Sequence, residues 1–231
     1  MTETTALVTV VSGDAYIEYG RQMFLSAEEH FHPTEKTLHV MLDGEEGWPA
    51  ATMCRYEVLS RHLPRANYVY MIDADMRFEG FVGPEILPKN GIGLTATLHP
   101  GYVGKPRAEL PFESRPESAA YVAPGLCSPY YCGGFVGGTR MAMRVLCSEI
   151  IRILHRDQMA GIVPCWHDES CLNRVIAGGG PGDPEWRPST TLSPAYCHPE
   201  NDSYYVQSVW PEVYERKIVA LDKTQAERGD R

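Results

Sequence analysis

No apolar run in this chain approaches the roughly eighteen residues that a membrane-spanning helix needs. The first such run, Ala6 to Val11, is six residues long, has no basic flank, and soon meets Gly13 and Asp14. It reads as neither a signal peptide nor a span, so a soluble, cytoplasmic protein is expected. Paired Cys-x-x-Cys knuckles are missing too, although the chain has seven cysteines, at 54, 127, 132, 147, 165, 171 and 197. A structural zinc on Cys165, His167, Cys171, Cys197 and His198 therefore lacks the usual ligand spacing, and reduced, buried thiols are expected instead. Positive charge is in deficit: 21 Lys and Arg stand against 30 Asp and Glu, a net charge of −9. Such a balance repels nucleic acid, although a few local cations and backbone amides still suffice to hold one small anion such as a diphosphate. Internal repeats are absent.

What is present is enough for one medium domain. At 231 residues and 43% hydrophobic composition, the chain can bury a sizeable core. TALVTVV reads as a strand, the Ser12-Gly13-Asp14 break as a turn, and YIEYGRQMFLSAEEHF as a helix with Ile17, Met23, Phe24 and Ala27 apolar. Strands follow over Thr37 to Leu42 and through ANYVYMI to Ile72, with a helix between them from about Ala50 to His62. This alternation predicts an open, mostly parallel α/β sheet. Beyond residue 80, glycine and proline become frequent. Strands are predicted over Ile92–Leu98 and Tyr130–Val136, and helices over Thr139–Arg156 and from His167 onward. Residues 100–129 and 178–189 read as long loops, and the charged tail 224–231 as mobile.

Four strings carry chemistry. MIDADM delivers Asp73 and Asp75, with Ala74 between them, to the carboxyl end of an apolar strand, where open α/β sheets bind ligands. Two carboxylates there suit Mn²⁺ or Mg²⁺, and are equally consistent with a solvated turn. WHDES places Asp168 and Glu169 at a helix start, where acidic residues serve the helix dipole but also serve as nucleophile or charge stabiliser in glycosyl chemistry. YYCGGFVGG and HPGYVG offer glycines and aromatics that suit either turns or a ligand wall.

In this order the four strings resemble glycosyltransferase family 6, and the likeness extends from about residue 5 to 223 with FLSAEEHF, Arg55-Tyr56-Glu57, RPESAAYV and LSPAY alongside. The resemblance implies a GT-A type fold, a Rossmann-like, mostly parallel sheet merged with an acceptor-binding region. Residues 1–231 would form a single catalytic domain, with about 5–80 as the nucleotide-sugar half and about 81–223 as the acceptor and catalytic half. It implies a retaining transfer of GalNAc or Gal from a UDP-sugar in α-1,3 linkage to a galactoside-type oligosaccharide acceptor, with Mn²⁺, or Mg²⁺, on Asp73 and Asp75. Tyr16 would stack on uracil, and the backbone at Val11 and Gly13 would bond the base. Arg55, Ala74 and Asp168 would line the donor site, Glu169 would be the catalytic carboxylate, and Lys223 would close over the diphosphate. His99, Trp166 and His167 would shape the acceptor site.

Cys132, Gly133 and Gly134 match the positions near the donor's C2 substituent. Their small size leans the expectation toward UDP-GalNAc. The chain looks like the short soluble members of bacteria and phages rather than the anchored animal enzymes, yet keeps both aspartates that many bacterial members replace. It departs from the animal pattern after LSPAY, where Cys197, His198, Pro199 and Glu200 follow, and Glu200 is a candidate for the acid missing there. A metal-dependent phosphoesterase using Asp73, Asp75, His167 and Asp168, and a non-catalytic glycan-binding protein, are the competing readings.

Overall fold

The computed structural model describes residues 2–45, 47–91, 93–126, 128–178, 187–201, 206, 209 and 215–223. The tail 224–231, residues 179–186 of the second long loop, Ile92 and Cys127 lie outside the described residues.

Residues with alternating apolar character form the first unit, β1 (Thr4–Val11), α1 (Gly13–His30) and β2 (Lys36–Asp43). Gly13 has φ +77°, which lets the chain leave β1 and enter α1 in a single residue. The helix expected over Ala50–His62 divides into α2 (Ala50–Met53) and α3 (Arg55–Arg61). Both Thr52 and Met53 donate to the Pro49 carbonyl, at 3.2 and 3.1 Å, and this tight first turn joins α3 through Cys54 at ψ −17°. β3 (Tyr68–Ile72) is buried along its whole length. Then come β4 (Met76–Phe78), β5 (Leu94–Leu98), β6 (Tyr131–Thr139), α4 (Arg140–Met159), α5 (His167–Ala177), β7 (Thr190–Leu192), β8 (His198–Pro199) and β9 (Ile218–Ala220). Thr139 caps α4, its hydroxyl accepting from the Ala142 N–H at 3.3 Å.

The main sheet has the order β2-β1-β3-β6-β5-β7. β1 is parallel to β2 and β3, and β5 to β7, whereas β6 runs against both β3 and β5. The sheet is thus mostly parallel, as expected, with one reversed strand at its centre. Because side chains alternate along a strand, β3 feeds two cores. Val69 and Met71 pack with Tyr56, Leu59, Met143, Leu146 and Leu172 under α3, α4 and α5. Tyr70 and Ile72 pack on the other face with Met23, Phe31, Phe78 and Ile218 under α1 and a second sheet, β4-β9-β8. That small sheet escapes sequence patterning because its strands are two or three residues long, shorter than the roughly four to eight residues over which alternation is readable. Among the described residues no helix is long and apolar enough to cross a membrane.

β6 passes close to β3 through its glycines. A Cβ added at Gly137 would lie 2.2 Å from Cδ1 of Tyr70, a fully buried ring stacked on Phe135 whose hydroxyl donates to the Ile86 carbonyl at 2.7 Å. Gly137→Ala should therefore destabilise the fold by about 1–3 kcal/mol, the usual cost of overpacking. Equilibrium denaturation of the variant checks this, and unchanged stability would contradict the packing described.

Candidate active site

The site is assembled where β3 ends. Asp73 donates its backbone N–H to the Gly134 carbonyl at 3.0 Å, which fixes the first aspartate against β6. Asp75 follows it after the buried Ala74. Asp73 ion-pairs through Oδ1 with Nη1 of Arg55, and Asp75 through Oδ2 with the Lys223 ammonium. Arg55, the first residue of α3, also reaches α5, with its Nε 2.9 Å from Asp168 Oδ2 and its Nη2 on the same oxygen. One guanidinium thus joins the end of β3 to the start of α5. Burial disfavours its charge, but Asp168 and Asp73 outweigh burial and hold its pKa well above the usual arginine value. Asp73 is pushed up to about 6 by burial, against the pull of Arg55 and with Asp75 and Asp168 adding to the rise.

Glu169 stands beside this cluster. Its Oε1 accepts from the Tyr130 hydroxyl at 2.9 Å and its Oε2 from the Gly133 N–H at 2.8 Å. Burial raises its pKa to about 7; those two hydrogen bonds oppose the rise, and the Asp168 and Asp73 charges reinforce it. Asn173, one helical turn further along α5, fixes the helix to β6. Its Oδ1 accepts from the Tyr131 N–H and its Nδ2 donates to the Tyr131 carbonyl, both at 2.8 Å. At Gly133 a Cβ would come within 3.2 Å of Arg55 Nη2 and 3.6 Å of Glu169 Oε2. The glycine is what lets the cation and the catalytic candidate approach β6 together.

On the opposite face of β6, the space sequence reading assigned to Gly134 is already filled. A Cβ there would lie 2.4 Å from Met76 Cε and 3.1 Å from Cys197 Sγ. Cys132 is likewise buried. The cysteines and histidines set aside as zinc ligands make other contacts. Cys171 donates to the His167 carbonyl at 3.5 Å and Cys165 contacts the Ser170 hydroxyl at 3.4 Å. Among the described residues no three His, Cys, Asp or Glu side chains gather around one point.

Lys223 reaches the site from the residues after β9, whose Leu221 N–H bonds the Asp75 carbonyl at 2.9 Å. Its Nζ lies 3.1 Å from the Tyr16 hydroxyl and 5.1 Å from that ring's centroid. Burial works against the ammonium, and Asp75 and Tyr16 more than offset it, so its pKa is raised. Val11 spends its carbonyl on the Gly44 N–H at 2.7 Å, while Gly13 opens α1 beside it. Glu200 is not a free acid. Its Oε1 lies 3.3 Å from Arg77 and its Oε2 accepts from the Asp222 N–H at 2.9 Å, which anchors the segment that carries Lys223.

Aromatic residues border the cluster. The His99 ring lies 4.8 Å from that of Tyr102 and 5.8 Å from that of Tyr130, and burial drops its pKa to about 4, so it is neutral near pH 7. His167 adopts φ 49°, a left-handed conformation costly for a non-glycine residue. Its ring meets Trp48 edge-on at 4.5 Å, and Trp166 beside it is half exposed. Sequence reading missed Tyr130, Asn173 and Trp48. Only Asn173 left a usable trace, four residues after Glu169 on the same helix.

The Tyr130 hydroxyl favours the ionised form of Glu169. Tyr130→Phe should therefore raise the Glu169 pKa above about 7 by roughly one unit, the scale of a hydrogen bond to a charged group. NMR titration of the Glu169 carboxyl carbon reads this directly, and an unmoved midpoint would break the link.

The sequence is similar to those of known proteins. The profile of glycosyltransferase family 6 covers residues 33–213. The histo-blood group ABO system transferase 2 of Rattus norvegicus is 28% identical over 95% of this chain and 70% of its own length. The globoside alpha-1,3-N-acetylgalactosaminyltransferase 1 of Mus musculus is 34% identical over 70% of this chain and 45% of its own. The alpha-1,3-galactosyltransferase 2 of Homo sapiens is 31% identical over 66% and 43%. A profile spanning most of the chain shows that this chain belongs to glycosyltransferase family 6 and is a glycosyltransferase.

Proposed function

We propose that the chain transfers GalNAc, or Gal, from a UDP-sugar to a galactoside-type acceptor in α-1,3 linkage and with retention. One observation supports this above the others. Glu169 is a partly buried carboxylate with both oxygens held by donors, next to an Arg55–Asp168 pair suited to sugar hydroxyls. Held this way, it stabilises an oxocarbenium-like centre electrostatically. Residues of about 5–80 would supply most of the nucleotide-sugar site and about 81–223 the acceptor and catalytic groups, with Asp168, Glu169 and Lys223 coming from the second part.

Asp73 and Asp75 fit a divalent cation. Each commits one oxygen to a cationic side chain, Arg55 or Lys223, and keeps another. Two such oxygens suit Mn²⁺ or Mg²⁺ with diphosphate oxygens completing the shell. Bound there, the ion would offset charge on the leaving UDP. Lys223, already against Asp75 and Tyr16, is placed to follow the diphosphate, while Tyr16 and the backbone at Val11 and Gly13 would hold the base. His99, Trp166 and His167, with Trp48, border the acceptor side. The phosphoesterase reading gives way because the chain belongs to a glycosyltransferase family.

The preference for UDP-GalNAc rests on the glycines of β6. The Met76 methyl, the flexible end of a thioether, fills the space over Gly134 and would repack around an acetamido group.

UDP release from UDP-GalNAc, UDP-Gal and UDP-Glc, with and without Mn²⁺, tests the reading. Turnover should require the metal and a β-galactoside acceptor and should be fastest with UDP-GalNAc. Glu169→Gln should bind donor normally yet lower kcat by about 10²–10³, as removal of a charge-stabilising group does. Equal rates in excess chelator would remove the metal from the account.

A further inference from the structure

We propose that Glu113, in the loop between β5 and β6, is a positioning residue: it fixes the backbone that enters α5 and so sets where His167 and Glu169 stand. This deepens the transferase reading above and rests on the roles given there to those two residues.

Three observations carry the assignment. The first is a buried carboxylate whose two oxygens are both in use. Glu113 is 1% exposed. Its Oε1 accepts from the Arg115 N–H at 3.0 Å and from Arg115 Nε at 2.9 Å. Its Oε2 accepts from Arg115 Nη2 at 2.6 Å and from the Cys165 N–H at 2.9 Å. Arg115 Nη2 also donates to the Val163 carbonyl at 2.7 Å. Glu113 and Arg115 thereby grip the chain on both sides of Pro164, just before α5. Burial works against charge on Glu113, but these donors outweigh it and hold its pKa down to about 2, so the grip is ionic near pH 7.

The second is the conformation that this grip supports. His167, which follows Trp166 after Cys165, has φ 49°, and a non-glycine residue keeps such a backbone only where its surroundings over-determine it. The amides leading into it are all engaged. The Cys165 N–H goes to Glu113, the Trp166 N–H to the Ser170 hydroxyl at 2.9 Å, and the His167 N–H to the Pro164 carbonyl at 3.0 Å. The last two set the internal shape of the turn. The bond to Glu113 ties that turn to a part of the chain 52 residues away.

The third is reach to the other side of Glu169. Phe112, next to Glu113, meets the Tyr130 ring edge-on, with centroids 5.2 Å apart and planes at 80°, and Tyr130 donates to Glu169 at 2.9 Å. One loop therefore supports both the start of the helix that carries Glu169 and the tyrosine that holds its Oε1. A second buried carboxylate, Asp157, anchors the same loop elsewhere, accepting from the Ser118 hydroxyl at 2.7 Å and the Ala119 N–H at 2.5 Å, and supplies a control.

The test compares Glu113→Ala, Arg115→Gln and Asp157→Asn with the intact chain, each well below its melting temperature. UDP release from UDP-GalNAc with Mn²⁺ and a β-galactoside acceptor gives kcat and KM, and the amide-to-α-proton NMR coupling of His167 reports its φ. Glu113→Ala should lower kcat about 10²-fold, the effect of roughly 1 Å of misplacement, with the donor KM unchanged. Arg115→Gln, at a side chain 44% exposed, keeps the Cys165 bond and should lower kcat less, about tenfold. Asp157→Asn should lower the melting temperature and leave kcat unchanged. The His167 coupling should move in Glu113→Ala and stay in Asp157→Asn. A kcat loss no greater in Glu113→Ala than in Asp157→Asn, or an unmoved His167 coupling, would overturn the positioning role and leave the transferase reading standing. If Glu113→Ala does not fold, Arg115→Gln decides by the same two readings. If the intact chain turns over no donor but the His167 coupling moves in Glu113→Ala and not in Asp157→Asn, the positioning role stands and the transferase reading fails.

Discussion

The arrangement depends on one buried guanidinium. Arg55 is held by Asp73 from the end of β3 and by Asp168 from the start of α5, and its side chain is only 12% exposed. Without a cation at that point, the Asp73 and Asp168 carboxylates would lose the partner they share. Breaking such a buried pair leaves an uncompensated charge and costs about 3–5 kcal/mol. Arginine suits the role because its planar fork serves two carboxylates at once and stays charged when buried. Compensation is partial. Asp73 still rises to about 6 and Glu169 to about 7, so the cluster is poised to gain from further positive charge.

The remaining parts act through that centre. Gly133 lacks the Cβ that would crowd Arg55 and Glu169, and Asn173 holds α5 in register with β6 by a two-way bond to Tyr131. The small sheet brings the chain's distant end back. Glu200 pairs with Arg77 and receives the Asp222 N–H, so that Lys223 meets Asp75 and Tyr16. Glu169 and Asp75 are thereby held by contacts from distant parts of the chain.

Much of the fold was legible because β1, α1, β2, β3 and α4 carry periodic apolar residues long enough to register. The four motifs were legible because ligand-handling residues cluster at strand ends and helix starts. What sequence could not give is non-local. Arg77 and Glu200 are 123 residues apart, and nothing near Glu200 signals that it is already engaged. The strands of the small sheet are too short to show a period, and the reversed direction of β6 depends on pairing rather than on its own residues. The neighbours of Gly134 are non-local in the same way, since Met76 and Cys197 arrive there from other elements.

The central claim is that Arg55 and Asp168 act as one energetic unit. A double-mutant cycle on Arg55→Met and Asp168→Asn, read by equilibrium denaturation, measures their coupling. The account predicts a coupling of at least about 2 kcal/mol, because Arg55→Met leaves the buried Asp168 without its cation and Asp168→Asn leaves Arg55 with Asp73 alone. Additivity to within about 0.5 kcal/mol would contradict it, and would mean that packing rather than this ion pair holds the site together.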